Sequence, residues 1–346
     1  MIVEFVSRLR FLVGVLTICA VFSLLTRPAH VENISPLKDN DRAPAALSSG
    51  TTGPCGTGGD AVSLSSRSPR PLSAAEECAL KPTDIFRECE QCPEMVVVPA
   101  GEFNMGSPES EVTHKTDEAP RHVVTIAKPF AVGKFPVTMD QFAAFVTETG
   151  FVGGKCEVLE GNRYVVDERR SWRIPGFRGV PQPGTYAAVC LNQNDAKAYL
   201  DWLSGRTGKS YRLLSESEWE YAARAGGSTS YPWGDEIGRN NTNCIDCVSA
   251  WENPQRPAPV GSFAANAFGL YDMHGNVAAW VQDCYHDSYV GAPSDGSAWT
   301  TGDCFYRVVR GGSWNSFSEQ VRSADRSYFP LRFRRDDIGF RVARTL

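Results

Sequence analysis

Residues 212–224 read RLLSESEWEYAAR, and this stretch is the strongest indication of fold in the chain. Ser215 and Glu218 form a capping box, in which a hydroxyl and a carboxylate hydrogen-bond the first free amides of a helix. Gly226 follows shortly after the stretch, and glycine is the residue at which helices commonly end. The pattern therefore predicts a helix that begins after Ser215 and ends at Gly226.

Two further helices are predicted upstream of this one. Thr138 and Gln141 form another capping box, and apolar residues at helical spacing follow them. Asn194 is predicted to cap the next helix, because an asparagine side chain accepts a hydrogen bond from helix amides. Gly208 is predicted to end that helix.

Strands and irregular segments surround the helices. Residues 95–98, Met-Val-Val-Val, and residues 123–126, Val-Val-Thr-Ile, have the β-branched composition of strands. After Gly226 the chain is rich in Gly, Asn, Asp, Pro and aromatic residues, with few periodic runs. Such segments are held by side chain–backbone hydrogen bonds, disulfides and often metal ions. The pattern predicts one irregular α+β domain, placed at residues 86–346.

The N-terminal sequence predicts that the protein is exported from the cytoplasm. Arg8 and Arg10 precede an apolar run at residues 11–25, which is the arrangement of a secretory signal peptide. The run is shorter than the roughly 20 apolar residues that a membrane-spanning helix needs. Residues 1–29 are therefore assigned to a signal peptide or an N-terminal membrane anchor, with lipidation of Cys19 as a third alternative. The expected location is the periplasm or another extracytoplasmic space.

Residues 30–85 are predicted to be a flexible linker. They are rich in Pro, Ser and Gly and lack apolar periodicity. A segment of that kind buries too little apolar surface to order itself. The linker is therefore expected to separate the N-terminal segment from the domain.

Nucleic acid is not an expected partner. The 346 residues carry a net charge of −5, and the chain has no long basic run. Binding to duplex nucleic acid depends on clustered Lys and Arg side chains that neutralise phosphates. The mildly acidic, mixed charge indicates a soluble surface.

The cysteine content is consistent with an oxidising compartment. Of the 11 cysteines, Cys19 lies in the predicted signal, and 11 − 1 = 10 is an even number, as paired cysteines require. The two C-x-x-C pairs, Cys89/Cys92 and Cys244/Cys247, favour structural disulfides. A zinc site and a redox-active pair are the alternatives. Sequence alone leaves the connectivity open.

Four blocks of sequence occur in an order that is typical of one family. They are PAGEFNMGS at residues 99–107, RLLSESEWEYAAR at 212–224 with YPWG at 231–234, NAFGLYDMHGNV at 266–277, and RGGSW at 310–314 with IGFR at 338–341. Together they resemble the formylglycine-generating enzyme (sulfatase-modifying factor) family. The resemblance implies an irregular α+β fold related to C-type lectin-like folds, usually with bound calcium.

The founding enzymes of that family oxidise a cysteine of a sulfatase to formylglycine, with copper bound by two cysteines in the loop after the RGGS strand. In this chain the same stretch, residues 313–322, reads SWNSFSEQVR and contains no cysteine. Soft Cu(I) strongly prefers sulfur ligands, so copper is not an expected cofactor of this chain. The catalytic residues stay unassigned, and the resemblance offers Ser313, Trp314, Ser316 and Arg341 as pocket candidates.

The resemblance also implies calcium as the cofactor, at two sites. In the first, the ligands would be the Asn243 side chain, the Cys244 carbonyl, the Glu252 carboxylate and the Pro254 carbonyl. Such a set of oxygen atoms suits a hard cation. The alternative is that Asn243 and Glu252 only cap turns.

The second calcium site would use Asp272 and the carbonyls of Gly275 and Val277. Where the family usually has GNVWEW, this chain has Ala278 and Ala279 in place of Trp and Glu. One carboxylate ligand and one indole are therefore missing from this site.

Two functions fit the whole pattern. The first is an exported oxidoreductase of the formylglycine-generating type, acting on a protein, peptide or small molecule without the cysteine–copper site. Exported relatives that lack the cysteine pair and act in siderophore maturation are a precedent for it. The second is a non-catalytic, calcium-stabilised binding module with a lectin-like fold. A redox metal in the native protein would support the enzyme, and calcium alone would support the binding module.

Overall fold

A computed structural model describes residue 64 and residues 67–177, 182–251 and 256–346. These residues fall within one unit, which spans residues 52–346. The predicted signal peptide or anchor at residues 1–29 lies outside the described residues, as does most of the predicted linker. Within the described ranges, no helix is long and apolar enough to cross a membrane.

The helices of the described ranges are short. They are α1 (Ala74–Ala79), α2 (Met139–Thr149), α3 (Gln193–Thr207) and α4 (Glu216–Arg224), with short 3-10 turns at Thr116–Glu118 and Ser318–Val321. The capping boxes predicted at Thr138 and Ser215 are both formed. α4 ends in a left-handed residue, Ala225, directly before the predicted Gly226.

The start of α3 differs from its prediction by two residues. Asn192, rather than Asn194, is the capping residue, and its side-chain oxygen accepts a hydrogen bond from the Asp195 amide at 2.9 Å. The Asp195 carboxylate in turn accepts from the Asn192 amide at 3.0 Å. An Asn paired with an Asp three residues later closes the same reciprocal pair of hydrogen bonds as a Ser–Glu capping box. Gly208 ends the helix in the left-handed conformation, as predicted.

Two sheets and two hairpins make up the β structure. The first sheet has the strand order β1 (Ile85–Phe86), β2 (Met95–Val98), β5 (Phe130–Gly133), β13 (Val342–Thr345) and β8 (Tyr211–Leu213). The second has the order β11 (Arg326–Pro330), β10 (Tyr306–Arg310), β9 (Ala278–Cys284) and β12 (Ile338–Phe340). The hairpins pair β3 (Gly101–Met105) with β4 (His122–Ile126), and β6 (Cys156–Glu160) with β7 (Arg163–Asp167).

The second sheet is buried on both faces at its centre. On β9, Trp280 packs in one apolar cluster together with Phe142 and Tyr199, whereas the next residue, Val281, packs in a second cluster around Trp219 of α4. Successive side chains of a strand point to opposite faces, so β9 separates the two clusters. The C-terminal end of β10 is thereby fixed, and the loop that follows it starts from a rigid element.

Part of the predicted linker is ordered. Leu72 is 2% exposed, Ser73 caps α1, and Glu76 accepts hydrogen bonds from Arg67 and Arg70 at 3.0 and 2.7 Å. Residues 67–85 therefore differ from the expectation of a flexible segment. This segment has no apolar periodicity in its sequence, because one buried leucine and a set of ion pairs, rather than an amphipathic face, attach it to the domain.

All nine cysteines among the described residues are disulfide-bonded. The bonds that join described residues are Cys89–Cys92, Cys156–Cys190, Cys244–Cys247 and Cys284–Cys304. Both C-x-x-C pairs are thus closed disulfides, as the sequence favoured. Zinc needs thiolates, so neither pair is available to bind it in this state.

Candidate functional site

The stretch without cysteines, residues 313–322, is called the site loop. It begins after two left-handed glycines, Gly311 and Gly312, with φ values of 92° and 61°. A Cβ atom on Gly312 would lie 2.6 Å from the Gln320 carbonyl oxygen, so only glycine fits where the loop folds back on itself. The glycines of the RGGSW block therefore set the entry of the loop.

Two serines of the site loop are connected to a buried carboxylate. The Ser313 hydroxyl donates to Asp337 Oδ2 at 2.7 Å and lies 3.3 Å from the Ser316 hydroxyl. Ser316 is half-buried, and its oxygen accepts from the Ser313 amide at 3.0 Å. Arg335 forms an ion pair with Asp337 from the other side. The loop thus presents hydroxyls backed by a carboxylate.

Trp314 forms one wall of the site. Its ring centroid lies 5.6 Å from that of Phe177, and its amide donates to the Asn276 carbonyl oxygen at 2.9 Å. The Asn276 side chain accepts from the Ala258 amide at 2.8 Å, which places the segment after residue 256 beside the loop. The indole Nε1 of Trp314 is buried and has no hydrogen-bond partner in the described ranges.

A second group of aromatic and charged side chains consists of Tyr186, Trp251 and Arg256. The rings of Tyr186 and Trp251 are 6.4 Å apart, and the Arg256 guanidinium lies 5.3 Å from the Trp251 ring centroid. Trp251 Nε1 and Arg256 Nε are buried without a hydrogen-bond partner among the described residues. Unpaired buried donors are rare because each one has lost its hydration. Each of these donors, like Trp314 Nε1, is suited to an oxygen acceptor of a ligand.

Tyr164 and Asp337 are site residues that sequence reasoning missed. Asn315 Nδ2 donates to the Tyr164 hydroxyl at 2.7 Å, and the Arg335 guanidinium lies 4.5 Å from the Tyr164 ring centroid. Burial, followed by the charge of Asp337, raises the pKa of Tyr164, so the phenol stays neutral. Asp337 directly precedes the IGFR block, which was a usable signal, whereas nothing in the sequence around Tyr164 indicates a site.

Of the four pocket candidates, Ser313, Trp314 and Ser316 lie together in the site loop. Arg341 has another role. Its guanidinium donates to the backbone carbonyls of Gly133, Tyr271 and Asp272, at 2.5 Å to Gly133 and 3.2 Å to Asp272. Burial lowers the pKa of Arg341 to about 10. The side chain joins β5 to the turn at residues 271–272, so we assign it to support of that turn.

The first calcium candidate has one feature that fits a cation. Asn243 Nδ2 donates to the Arg256 carbonyl at 2.9 Å, but Asn243 Oδ1 is buried without a partner in the described part of the chain. A buried acceptor that lacks a donor suits a hard cation, which prefers oxygen ligands. Cys244 is held in its disulfide, and Glu252 and Pro254 lie outside the described residues.

The second calcium candidate fits in part. Asp272 Oδ2 accepts from the Gly261 amide at 2.7 Å, whereas Asp272 Oδ1 is buried and unpaired among the described residues. Burial raises the pKa of Asp272 to about 6. Gly275 has a φ of 61°, and a Cβ atom there would lie 2.5 Å from the Asn243 carbonyl oxygen, so the turn beside Val277 needs glycine. Ala279 is buried and supplies no carboxylate, so Asp272 is the one anionic side chain of this set.

Asp336, which lies next to Asp337 of the site, should make the stability of the folded protein depend on pH. The residue is 3% exposed, Oδ2 accepts from the Leu159 amide at 3.1 Å, and Oδ1 has no partner within the described ranges. Burial and the charge of Asp337 raise the pKa of Asp336 to about 8. Because the folded-state value exceeds the unfolded one, the folded protein binds the extra proton, and this stabilisation is lost as the pH rises towards 8.

Asp336→Asn should therefore gain stability over wild type as the pH rises. An amide keeps the bond to Leu159 and never ionises, so the gain should grow between pH 4 and pH 8, to roughly 1–3 kcal/mol. Urea unfolding at several pH values measures it. Asp287→Asn, at an exposed carboxyl, is the matched control and should show no such trend. A pH-independent difference for Asp336→Asn would contradict the assignment.

The fold and the site define a formylglycine-generating-type domain, related to C-type lectin-like folds, whose site loop contains no cysteine. Residues 81–346 match the family described as "Sulfatase-modifying factor enzyme 1-like domain", and the chain belongs to this family. The resemblance drawn from the four sequence blocks is confirmed.

Several characterised relatives are similar over most of the chain. The formylglycine-generating enzyme of Thermomonospora curvata is 31% identical, covering 72% of this chain and 92% of the relative. The inactive C-alpha-formylglycine-generating enzyme 2 of Bos taurus is also 31% identical, covering 72% and 87%. Serine/threonine-protein kinase pkn1 of Chlamydia pneumoniae is 32% identical over 73% of this chain, but the match spans 38% of the kinase.

Among solved structures, that of PvdO from Pseudomonas aeruginosa is similar to this chain. It is 42% identical, with a TM-score of 0.69, and the match covers 78% of this chain and 100% of PvdO. Treponema denticola variable protein 1 shares the fold at 19% identity, with a TM-score of 0.56.

Proposed function

We propose that this protein is an exported oxidoreductase that acts on a peptide or small molecule through a site without the family's cysteine–copper centre. The observation that carries the proposal is that Trp314 Nε1 of the site loop, and likewise Trp251 Nε1 and Arg256 Nε, are buried next to aromatic rings without a hydrogen-bond partner among the described residues. Ligand sites typically combine apolar, aromatic walls with a few placed polar groups. Donors left without partners fit a ligand that supplies oxygen acceptors.

The site loop supports proton transfer rather than electron transfer. Ser316, Ser313 and Asp337 form a chain of hydrogen bonds from a half-buried hydroxyl to a buried carboxylate. Such a chain can accept a proton from a bound substrate. None of these groups accepts electrons, so oxidation needs a redox metal or an organic cofactor as well. The relative named as inactive shows that loss of the founding activity has a parallel in the family.

The metal content of the full chain, purified from its native compartment without chelators, tests the proposal. A stoichiometric redox metal, or a bound organic redox cofactor, is the expected result. Calcium as the sole bound group would support instead the second candidate, a calcium-stabilised binding module, which the lectin-like fold and the unpaired oxygens of Asn243 and Asp272 favour.

A second experiment tests directly whether the protein oxidises a peptide or small molecule. A strain lacking the gene is complemented with wild type, with Ser316→Ala, with Arg256→Gln, or with Arg332→Gln as a control at an exposed position. Mass spectrometry of exported peptides and small molecules should find a species that loses two hydrogens or gains an oxygen in wild type and in the control. That conversion should fall about 100-fold or more in the two site variants, the scale of one lost hydrogen bond in a transition state. Identical profiles in all strains would remove the support for an enzyme.

We include calcium in this proposal as a stabilising ion. A ligand that binds only the folded state, at 100 times its dissociation constant, adds about 2.7 kcal/mol of stability. Removal by EGTA should therefore lower the melting temperature by about 5–10 °C for a domain of this size. Glu252→Ala and Asn243→Ala should blunt the response, whereas Glu109→Ala, at an exposed position, should keep it. A melting temperature that is the same with and without calcium would count against both calcium sites.

A further inference from the structure

The Cys244–Cys247 turn holds the site loop through the two residues inside its disulfide ring. The Ile245 amide donates to the Ser316 carbonyl oxygen at 2.8 Å. Asp246 Oδ1 accepts from the Ser318 amide, and Oδ2 accepts from the Ser318 hydroxyl, both at 2.7 Å. Three hydrogen bonds thus join the disulfide-closed turn to the loop segment that carries Ser316.

Residues 316–321 also contact buried side chains of the domain. Cys244 packs in one cluster with Tyr231 and Val321, and Cys247 packs against the edge of that cluster. The Tyr231 hydroxyl donates to the Ser318 carbonyl oxygen at 2.7 Å. Residues 316–321 are therefore fixed between the turn and this cluster, so the conformation of the turn determines where the Ser316 hydroxyl lies.

We propose that the Cys244–Cys247 disulfide is a thiol–disulfide exchange site whose redox state controls the position of the site loop, and that its partner is an exported dithiol. Cys247 is half-buried, which leaves it open to attack, whereas Cys244 is buried. The closed ring constrains residues 245 and 246 in the geometry that the three hydrogen bonds need. Opening the ring removes that constraint and releases the loop.

The exchange is balanced in thiols and electrons. A partner thiolate attacks Cys247 Sγ, the Cys244–Cys247 bond breaks, and Cys244 leaves as a thiolate that takes up a proton. The second thiol of the partner then attacks the partner's own sulfur in the mixed disulfide and releases Cys247 as a thiol. Two electrons and two protons pass to this protein, and the partner dithiol becomes a disulfide.

Cys89–Cys92 provides a matched control within the chain. It has the same C-x-x-C spacing, and it too joins one buried and one half-buried cysteine. Its inner residue Gln91 accepts a hydrogen bond from Arg206 of α3 at 3.2 Å, so this disulfide is attached to a helix rather than to the site loop. Opening it should leave residues 313–322 unchanged.

Hydrogen–deuterium exchange of the full chain tests the proposal without any assay of activity, so its result is independent of the proposed function. In Cys244→Ser/Cys247→Ser, the amides of Ile245 and Ser318 should exchange about tenfold faster than in wild type, because their acceptors are released. In Cys89→Ser/Cys92→Ser they should stay within about twofold of wild type. Equal acceleration in both double variants, or in neither, would overturn the proposal.

Asp246 gives a second test that leaves every disulfide intact. Asp246→Ala should accelerate exchange of the Ser318 amide, because its acceptor is gone, while the Ile245 amide keeps the Ser316 carbonyl. Asp246→Asn, which retains one oxygen acceptor, should restore most of the protection. If Cys244→Ser/Cys247→Ser fails to fold, the two Asp246 variants still test the proposal. An exchange rate of the Ser318 amide that Asp246→Ala leaves unchanged would show that the turn does not hold the loop.

Wild-type protein in graded dithiothreitol tests the redox step. Alkylation of free thiols, read by mass spectrometry, gives the fraction of each disulfide that is open, and exchange is measured on the same samples. The fraction of open Cys244–Cys247 should rise together with exchange at Ser318 before the protein unfolds. Reduction of this pair without faster exchange, or no reduction of it short of global unfolding, would overturn the proposal.

Discussion

Arg310→Ala is expected to lower the free energy of unfolding by about 3–5 kcal/mol. Arg310 is 1% exposed, and its guanidinium binds Glu220 at 2.5 Å and the Ser323 and Ala324 carbonyls at 3.0 and 2.8 Å. Glu220 is itself fully buried. Glu220 keeps Arg224 as a second ion-pair partner, at 2.8 Å, but it loses the donor to its other oxygen, and two buried carbonyls lose their donor as well. Removal of one partner of a buried ion pair costs about 3–5 kcal/mol, a large share of the 5–15 kcal/mol by which domains are stable.

Arg307→Ala is the control for this variant, because Arg307 lies on the same strand, β10, and is only half-buried. It should change the free energy of unfolding by about 0.5 kcal/mol or less. Arg310→Lys should fall between the two, since it keeps the charge but not the planar donors. Chemical denaturation measures all three variants. An Arg310→Ala protein as stable as the Arg307→Ala protein would show that the pair contributes nothing to the fold.

The second expected result is complete absence of formylglycine formation on a Cys-x-Pro-x-Arg peptide, even with copper supplied. Cu(I) needs two thiolates, and the site loop offers hydroxyls, which bind a soft metal poorly. Cys284 and Cys304 precede β10 and are bonded to each other, and Cys244 and Cys247 are likewise paired. Every other cysteine in the described ranges is also disulfide-bonded.

Incubation of purified protein with peptide, copper and oxygen, followed by mass spectrometry, tests this expectation. A founding enzyme of the family serves as the positive control. Ser316→Cys/Val321→Cys should also be inactive, because Val321 is fully buried against Tyr231 and Cys244 and would not present a thiol to the site. Product above the copper-only blank from the wild-type protein would contradict the prediction.

The helices of the domain could be predicted because their signals are local. Thr138 with Gln141 and Ser215 with Glu218 form capping boxes that depend on residues three apart, and both are present in the fold. The cap of α3 was placed at Asn194 rather than Asn192, since an Asn–Asp pair closes the same hydrogen bonds as the usual Ser–Glu pair. The order of residues 67–85 was missed because it rests partly on ion pairs to residues distant in sequence, such as those of Glu77 with Lys209 and Arg344.

In the candidate site, too, local sequence signals could be predicted and contacts between distant residues could not. Ser313 and Trp314 were proposed from sequence because the RGGSW block contains them, and Ser316 because it follows that block by two residues; their proximity follows from a short loop. Arg341 lies in an equally specific block, yet its guanidinium is taken up by backbone carbonyls of β5 and of the turn at residues 271–272. A motif identifies a residue, but its partners come from elements that only folding brings to it.

By itself the sequence determined the family, the α+β class and the absence of the cysteine pair, because each of these is written in contiguous blocks. The tertiary structure alone decided which groups complete the site. It brought Asp337 to Ser313, Tyr164 to Asn315, and the Cys244–Cys247 turn to Ser316, across separations that no local pattern records. The physical reason is that capping and turn formation depend on neighbouring residues, whereas a buried polar group takes whatever partner the packing of distant strands and loops places within hydrogen-bond reach.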